Sequence, residues 1–302
     1  MADLIRSGKV KDVYALSGEE LEFVFSDRIS VFDKIIPSDV PHKGETLART
    51  SAYWFDELRS KNVPTHFIRL EKPNRMRVKR VNVISDYSKL STKTKNYLIP
   101  LELVTRSYVY GSLWDRVKGG KVKPQELGFS AGHVPKQAEP LPEPFFEATT
   151  KLEHTDRNLT TQEAIKISGI TKSEFNDIKE LCLKIDGMID SRVMQRGLIH
   201  VDGKKEFAYD NERALMVVDT FGTADEDRFW DAKEFDQGKH VEKSKEFVRQ
   251  FYRECGYHEK LYKAREEKKE EPQIPPLPKE MVKKASEIYV SLYESITGLP
   301  FR

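Results

Sequence analysis

The chain is expected to mix β-strands with α-helices, and three observations support this. Residues 8–16 and 21–25 alternate as two strands of a hairpin around Ser17-Gly18-Glu19-Glu20. Residues 197–208 alternate again: Ile199, Val201 and Phe207 point one way, and Asp202, Lys204 and Glu206 the other. Apolar stripes at helical spacing run through residues 45–60, the segment after Thr171, and 279–297.

Composition sets the outer bounds. The 302 residues suit one large or two modest domains with ample core. Charged residues make up 33% of the chain at a net charge of +2, so nothing drives it toward nucleic acid or a membrane surface, and any anion site is local. No run reaches the ~18–20 apolar residues of a membrane span, and the start lacks a signal-peptide core. Cys182 and Cys255 are the only cysteines, too few for a disulfide framework, and a reducing cytoplasm is the expected compartment. There is no HExxH, and the seven histidines are scattered, so no zinc site is expected.

In chain order, Lys9 and Lys11 share a strand face and read either as solvated lysines or as a phosphate clamp. Residues 26–33 (SDRISVFD) form a turn or a substrate loop. Lys43-Gly44 precedes a helix over 45–60, which stops at Lys61-Asn62-Val63-Pro64. Residues 65–84 and 98–105 are strands. The second runs into RSYVYGSLW at 106–114, where an arginine, a glycine and a serine in a strand-to-helix connection suit a phosphate. Residues 118–146 are rich in Gly and Pro and are expected to be loop. Thr171-Lys172-Ser173-Glu174 is a capping box opening a helix that ends at Gly197. Residues 241–253 are helical, 266–278 a linker, and 279–297 a last helix stopped by Gly298.

The stretch 197–230 organises the rest. With a four-residue loop over Asp210 to Arg213, Lys204 would oppose Asp219 and Glu206 would oppose Val217. Glu206 and Asp219 would then be diagonal neighbours within reach of one ion. Two carboxylates and a lysine on one face fit a Mg²⁺–triphosphate site, since Mg²⁺ takes one or two carboxylates with phosphate oxygens and water. A three- or five-residue loop would place the two acids on opposite faces.

The clusters GKVKDVY (8–14), SDRISVFD (26–33), HKG (42–44), RSYVYGSLW (106–114), TKLEHTD (150–156), GLIHVDGKKEF (197–207) and DRFW (227–230) occur in one order. Over about residues 8–255 this series resembles the phosphoribosylaminoimidazole-succinocarboxamide synthase (SAICAR synthetase) family. The resemblance implies an ATP-dependent ligase of purine biosynthesis. It would join L-aspartate to carboxyaminoimidazole ribonucleotide (CAIR), giving SAICAR, ADP and phosphate, with ATP and Mg²⁺ required. It also implies two lobes: a kinase-like antiparallel lobe over residues 1–100 covering the nucleotide, and an α+β substrate lobe over 101–302.

By position, the resemblance makes Lys9 and Lys11 phosphate-binding lysines. It places Lys79, Arg80 and Val83 at an adenine-facing hinge, and Glu102 at the nucleotide pocket. Glu206 and Asp219 become the Mg²⁺–ATP carboxylates. Arg106, Ser112 and Arg228 contact the ribonucleotide phosphate. Asp202, Lys204 and Lys151 lie around substrate and phosphates, with Lys11, Lys204 and Asp202 taken as catalytic. Ser26, Asp27, Arg28, Ser30, Asp33, Lys43 and Asp225 approach the imidazole and aspartate.

Departures from the family pattern are Ser107 where a glycine is common, Ala208 after Glu206-Phe207, and Thr220 in place of a second acid after Asp219. The 222–227 loop is wide, leaving open which of Asp225, Glu226 and Asp227 faces the site, and His154-Thr155-Asp156 replaces a His-Asp pair. Two other readings compete: a kinase-like phosphotransferase, although HRD and DFG motifs are missing, and a non-catalytic nucleotide-binding protein. Homo-oligomerisation is left open.

Overall fold

The computed structural model describes residues 2–16, 18–153 and 155–302, so the expectations on Ser17 and His154 lie outside the described residues. The chain opens with strands β1 (Asp3–Ser7), β2 (Lys11–Ala15) and β3 (Glu20–Phe25), then the hairpin β4 (Arg28–Val31) and β5 (Lys34–Asp39). Helix α1 (Lys43–Ser60) and the strands β6 (Phe67–Lys72) and β7 (Arg75–Lys79) follow. Five of these strands form an antiparallel sheet in the order β1-β2-β3-β7-β6. Helix α1 covers it with Leu47, Trp54, Phe55 and Leu58, all buried.

Next come β8 (Tyr97–Leu98), β9 (Leu101–Tyr108), α2 (Ser112–Lys118), β10 (Pro140–Thr150), β11 (Asn158–Leu159), α3 (Thr161–Ser168) and α4 (Lys172–Met194). The remainder is β12 (Leu198–Tyr209), β13 (Leu215–Val218), β14 (Asp227–Asp231), α5 (Ala232–Phe235), α6 (Glu246–Glu254), α7 (Tyr257–Glu266) and α8 (Lys279–Thr297). The second sheet runs β11-β10-β9-β12-β13, with β14 and β8 also paired to the long β12. This is an α+β fold. One apolar core extends from Leu21 to Ile296 and joins both sheets.

Several local expectations hold in detail. Thr171 and Glu174 form the reciprocal cap, with Glu174 N–H donating to Thr171 Oγ1 at 3.1 Å and Thr171 N–H to Glu174 Oε2 at 2.7 Å. Helix α8 ends at Gly298 in the left-handed region, φ 73°.

Others are corrected. Residues 26–33 are not simply a turn: they hold the first strand of the β4–β5 hairpin and its tip, where Phe32 and Asp33 both have positive φ. The 118–146 segment is loop only in part, because β10 begins at Pro140. Strand β1 and helix α7 were not foreseen: β1 is exposed throughout, and α7 buries only Tyr257 and Leu261.

The central hairpin is shifted by one residue from the expected register. Glu206 opposes Val218, and Tyr209 opposes Leu215. The loop has five residues, 210–214, because Asp210 Oδ1 accepts from the Glu212 and Ala214 amides at 2.9 and 2.8 Å, and Arg213 adopts φ 64°. Continued as a strand, Asp219 would face away from Glu206. Instead β13 ends at Val218 and Asp219 adopts φ 62°, which breaks the alternation.

Candidate active site

Cross-strand register gathers the polar residues on one face of the second sheet. On β12, Asp202, Lys204 and Glu206 alternate onto that face. Arg106 on β9 directly opposes Asp202 from one side, and Arg228 on β14 opposes it from the other. The same register puts Glu102 of β9 and Glu147 of β10 on this face, with Lys151 just past the end of β10.

At the Glu206 end lies a cluster of lysines and carboxylates. Lys204 Nζ is 2.7 Å from Glu206 Oε1, 2.9 Å from Glu102 Oε1 and 3.2 Å from Glu226 Oε2. Lys151 Nζ is 2.5 Å from Glu206 Oε2, and Lys11 from β2 pairs with Asp219. Burial works against ionisation of both Glu206 and Asp219. The lysines outweigh it: Lys151 and Lys204 hold the Glu206 pKa below its ordinary value, and Lys11, Lys151 and Lys204 hold Asp219 well below its own. Burial raises the pKa of Glu102 and Glu226, and repulsion from Glu206 adds to it. Buried His66, its pKa lowered to about 4 mainly by burial, is neutral and donates from Nε2 to the Asp219 carbonyl at 3.3 Å. That contact holds the Asp219 backbone in its left-handed turn.

These residues fit Mg²⁺. Glu206 Oε2 is a fully buried oxygen with no hydrogen-bond partner among the described residues apart from the nearby Lys151 ammonium. The surrounding donors are carboxylate oxygens, the ligand type a hard cation prefers.

At the Asp202 end two guanidinium groups share one carboxylate. Arg106 Nη1 and Arg228 Nη1 both donate to Asp202 Oδ2, at 2.8 and 2.5 Å. Arg106 Nε donates to Glu147 at 2.7 Å, and its Nη2 to Ser112 Oγ at 3.2 Å. Arg228 Nε donates to Glu246 at 3.1 Å. The Arg228 guanidinium packs against Gly111, where a Cβ would meet Nη2 at 2.8 Å and Cζ at 3.0 Å. A cleft of about 460 Å³ opens beside this corner, lined by Tyr110, Gly111, Trp114, Glu246, Gln250 and Arg253.

Other expected residues spend their polar groups on the fold. Ser26 Oγ donates to the Val10 carbonyl at 2.9 Å, Asp27 Oδ1 accepts from the Gly44 amide at 2.9 Å, and Arg28 pairs with Asp12 at 2.6 Å. Lys43 is fully buried, 3.0 Å from Asp225. Asp225 also takes Lys245 at 3.2 Å and the Tyr289 hydroxyl, while Lys245 lies 3.5 Å from Ser30 Oγ. Lys79 and Arg80 donate their amides to the His66 and Glu19 carbonyls, and Val83 is exposed. Lys9 pairs with Asp33 at 2.6 Å on the exposed rim.

The three consecutive acids go three ways. Asp225 turns to Lys43 and Lys245, Glu226 to Lys204, and Asp227 to His200 and Lys205. Asp186, His200 and Asp227 are close enough for a metal, but Lys205 pairs with Asp186, and both His200 ring nitrogens are taken at 2.8 Å by Asp190 and Asp227. That group is an internal ion network. Glu147, Glu246, Lys245, Tyr289 and His66 are the site's neighbours that sequence reasoning missed. Each arrives by tertiary packing, with no local pattern to mark it.

A model of the SAICAR synthetase family matches residues 4–264. The chain belongs to the SAICAR synthetase family. It is 55% identical over 295 residues to the phosphoribosylaminoimidazole-succinocarboxamide synthase of Thermoplasma volcanium, covering 98% of each chain. The Nitrosopumilus maritimus enzyme of the same name is 34% identical, again over 98% of each. Among solved structures, the Saccharomyces cerevisiae SAICAR synthase complexed with SAICAR matches the fold with a TM-score of 0.75 at 24% identity, over 99% of this chain and 96% of that one. A type-2 SAICAR synthetase in complex with ADP matches with a TM-score of 0.70 at 25% identity, over 98% and 99%. Membership makes this chain a carbon–nitrogen ligase.

Proposed function

We propose that the chain uses ATP and Mg²⁺ to join L-aspartate to CAIR through an acyl phosphate. The observation that carries this reading is the single sheet face with a lysine–carboxylate cluster at one end and a twin-arginine corner at the other. From Asp202 to Glu206 the strand advances roughly 13 Å, room for a ribonucleotide to reach from the arginines to the lysines.

Arg106, Arg228 and Ser112 would hold the CAIR phosphate, and that remote binding would orient its carboxylate. Lys11, Lys151 and Lys204 would face the ATP phosphates, with Lys9 and Asp33 at the rim. Glu206 and Asp219 would hold Mg²⁺, which supplies charge neutralisation for the phosphates when bound. The small apolar group of Leu98, Ala208, Met216 and Val218, with Val81 packed on it, continues past Glu206 and would wall the adenine. Residues 1–100 and 101–302 would act as the two lobes around this cleft.

In the first step a CAIR carboxylate oxygen attacks the γ-phosphorus and ADP leaves. In the second the aspartate amine attacks the acyl carbon, loses a proton, and expels phosphate. Alignment and charge neutralisation suffice for such a transfer, so no protein nucleophile is needed.

ATP turnover measured with and without CAIR and aspartate tests the reading. Turnover that needs both supports it. Turnover with CAIR alone and no amide formed when aspartate is added would make the reaction a phosphotransfer, and turnover that needs neither would remove CAIR and aspartate as the substrates.

A further inference from the structure

We propose that Glu246, at the start of α6, is a positioning residue that locks Arg228 in its ligand-facing pose, with Glu147 doing the same for Arg106. The inference rests on the proposed role of the twin-arginine corner as a phosphate site. The two guanidinium groups are held alike. Each is fixed through Nε by a glutamate, Glu246 or Glu147, and through Nη1 by the shared Asp202. Besides the second N–H of Nη1, Nη2 is what remains in each. In Arg106 it reaches Ser112 Oγ. In Arg228 it has no protein partner among the described residues and lies over Gly111.

Two anchors fix both the direction and the plane of a guanidinium, and one anchor fixes only its direction. With Asp202 alone, Arg228 could rotate about its last side-chain bonds and turn Nη2 away from the Gly111–Ser112 corner. Glu246 is built for the task. It is 1% exposed and binds Arg249 at 3.0 Å and Arg253 besides Arg228. Burial opposes its ionisation, but Arg228, Arg249 and Arg253 prevail and hold its pKa down to about 2. A fixed anion behind an arginine keeps the donor preorganised, so ordering it adds no cost when the phosphate arrives. Glu147 is likewise buried and shared with Arg116 at 2.6 Å and Asn158 at 3.0 Å.

Steady-state kinetics of Glu246→Gln, Glu246→Ala and Glu147→Gln test the proposal, with the CAIR and ATP Michaelis constants determined separately. Glutamine keeps an acceptor for Nε and loses the charge, so the CAIR KM should rise in the order wild type, Gln, Ala. The rise should reach about tenfold, the scale of one lost charged hydrogen bond. kcat and the ATP KM should stay within about twofold, a split that a general loss of packing would not produce. If the alanine variant fails to fold, the two isosteric glutamine variants carry the same readout.

An unchanged CAIR KM in folded Glu246→Gln and Glu147→Gln, or a parallel rise in the ATP KM, overturns the proposal. Arg228→Ala in the same assay separates the two levels. If it leaves the CAIR KM unmoved, the phosphate reading itself fails. If it raises that KM while Glu246→Gln does not, only the positioning role fails.

Discussion

Lys151 Nζ lies 2.5 Å from Glu206 Oε2, tying the end of β10 to the middle of β12 across the floor of the proposed nucleotide site. Lys204 holds the other oxygen of the same carboxylate at 2.7 Å. Glu206→Gln keeps the volume and removes the charge that both lysines share and that Mg²⁺ would need. Turnover should fall by about 10²-fold or more, the scale of losing one electrostatic group in a catalytic site. Circular dichroism should be unchanged, and the Mg²⁺ concentration for half-maximal activity should rise. Near-wild-type turnover in this variant would exclude the metal assignment.

Gly111 is required by space and by backbone. Its φ is +57°, and a Cβ would fall 2.8 Å from Arg228 Nη2 and 3.0 Å from Cζ. Gly111→Ala should push the guanidinium off the corner and strain the turn by roughly 1–3 kcal/mol, since φ 57° with ψ −136° is a conformation that side chains disfavour. The CAIR KM should rise more than the ATP KM. Equal effects on both substrates would mean that the glycine serves the fold alone.

The period of two along a strand is local, so the shared face of Asp202, Lys204 and Glu206 could be read directly from the sequence. The cap of α4 and the stop of α8 were legible for the same reason. The register of β12 with β13 was not, because it hangs on Asp210 and Arg213 in the loop, and one extra residue there shifts every pair. Asp225, Glu226 and Asp227 were illegible too. They occupy an irregular turn running into β14, where neighbours in sequence share no face, and each finds a different lysine. Glu147 and Glu246 meet their arginines only through packing between elements far apart in the chain.

Asp225 lies between two buried ammonium groups, Lys43 at 3.0 Å and Lys245 at 3.2 Å, and accepts from Tyr289 of α8. Asp225→Asn leaves two cations facing each other with no counter-charge. Breaking a buried pair in this way costs about 3–5 kcal/mol. Lys245, whose pKa is already lowered to about 8 mainly by burial, should lose its proton more readily still. Adding Lys245→Met to Asp225→Asn should restore part of the loss in a denaturant titration. If the single variant is as stable as wild type, the cluster contributes nothing to the link between α8 and the loop that carries Glu226.

His200 makes the stability pH-dependent in a defined direction. Burial favours its neutral form, but hydrogen bonds to Asp190 and Asp227 and the charges of Asp227 and Asp186 prevail, and the pKa rises to about 10. The unfolded chain releases this proton near pH 6.5. The stabilisation is therefore complete below pH 6.5 and is lost as pH climbs toward 10, because the folded state alone keeps the proton. Lys245 acts oppositely, but only above about 8, and Glu242, its pKa raised to about 7 mainly by burial, titrates in both proteins, so the difference between them from pH 6.5 to 8 reports the histidine. Across it, the stability advantage of wild type over His200→Gln should shrink by about 2 kcal/mol, at about 1.4 kcal/mol per pH unit. Urea titrations of both proteins at the two pH values measure this difference. An advantage that stays constant or grows with pH would mean that His200 is neutral in the fold, and that Lys205 alone balances Asp186 and Asp227.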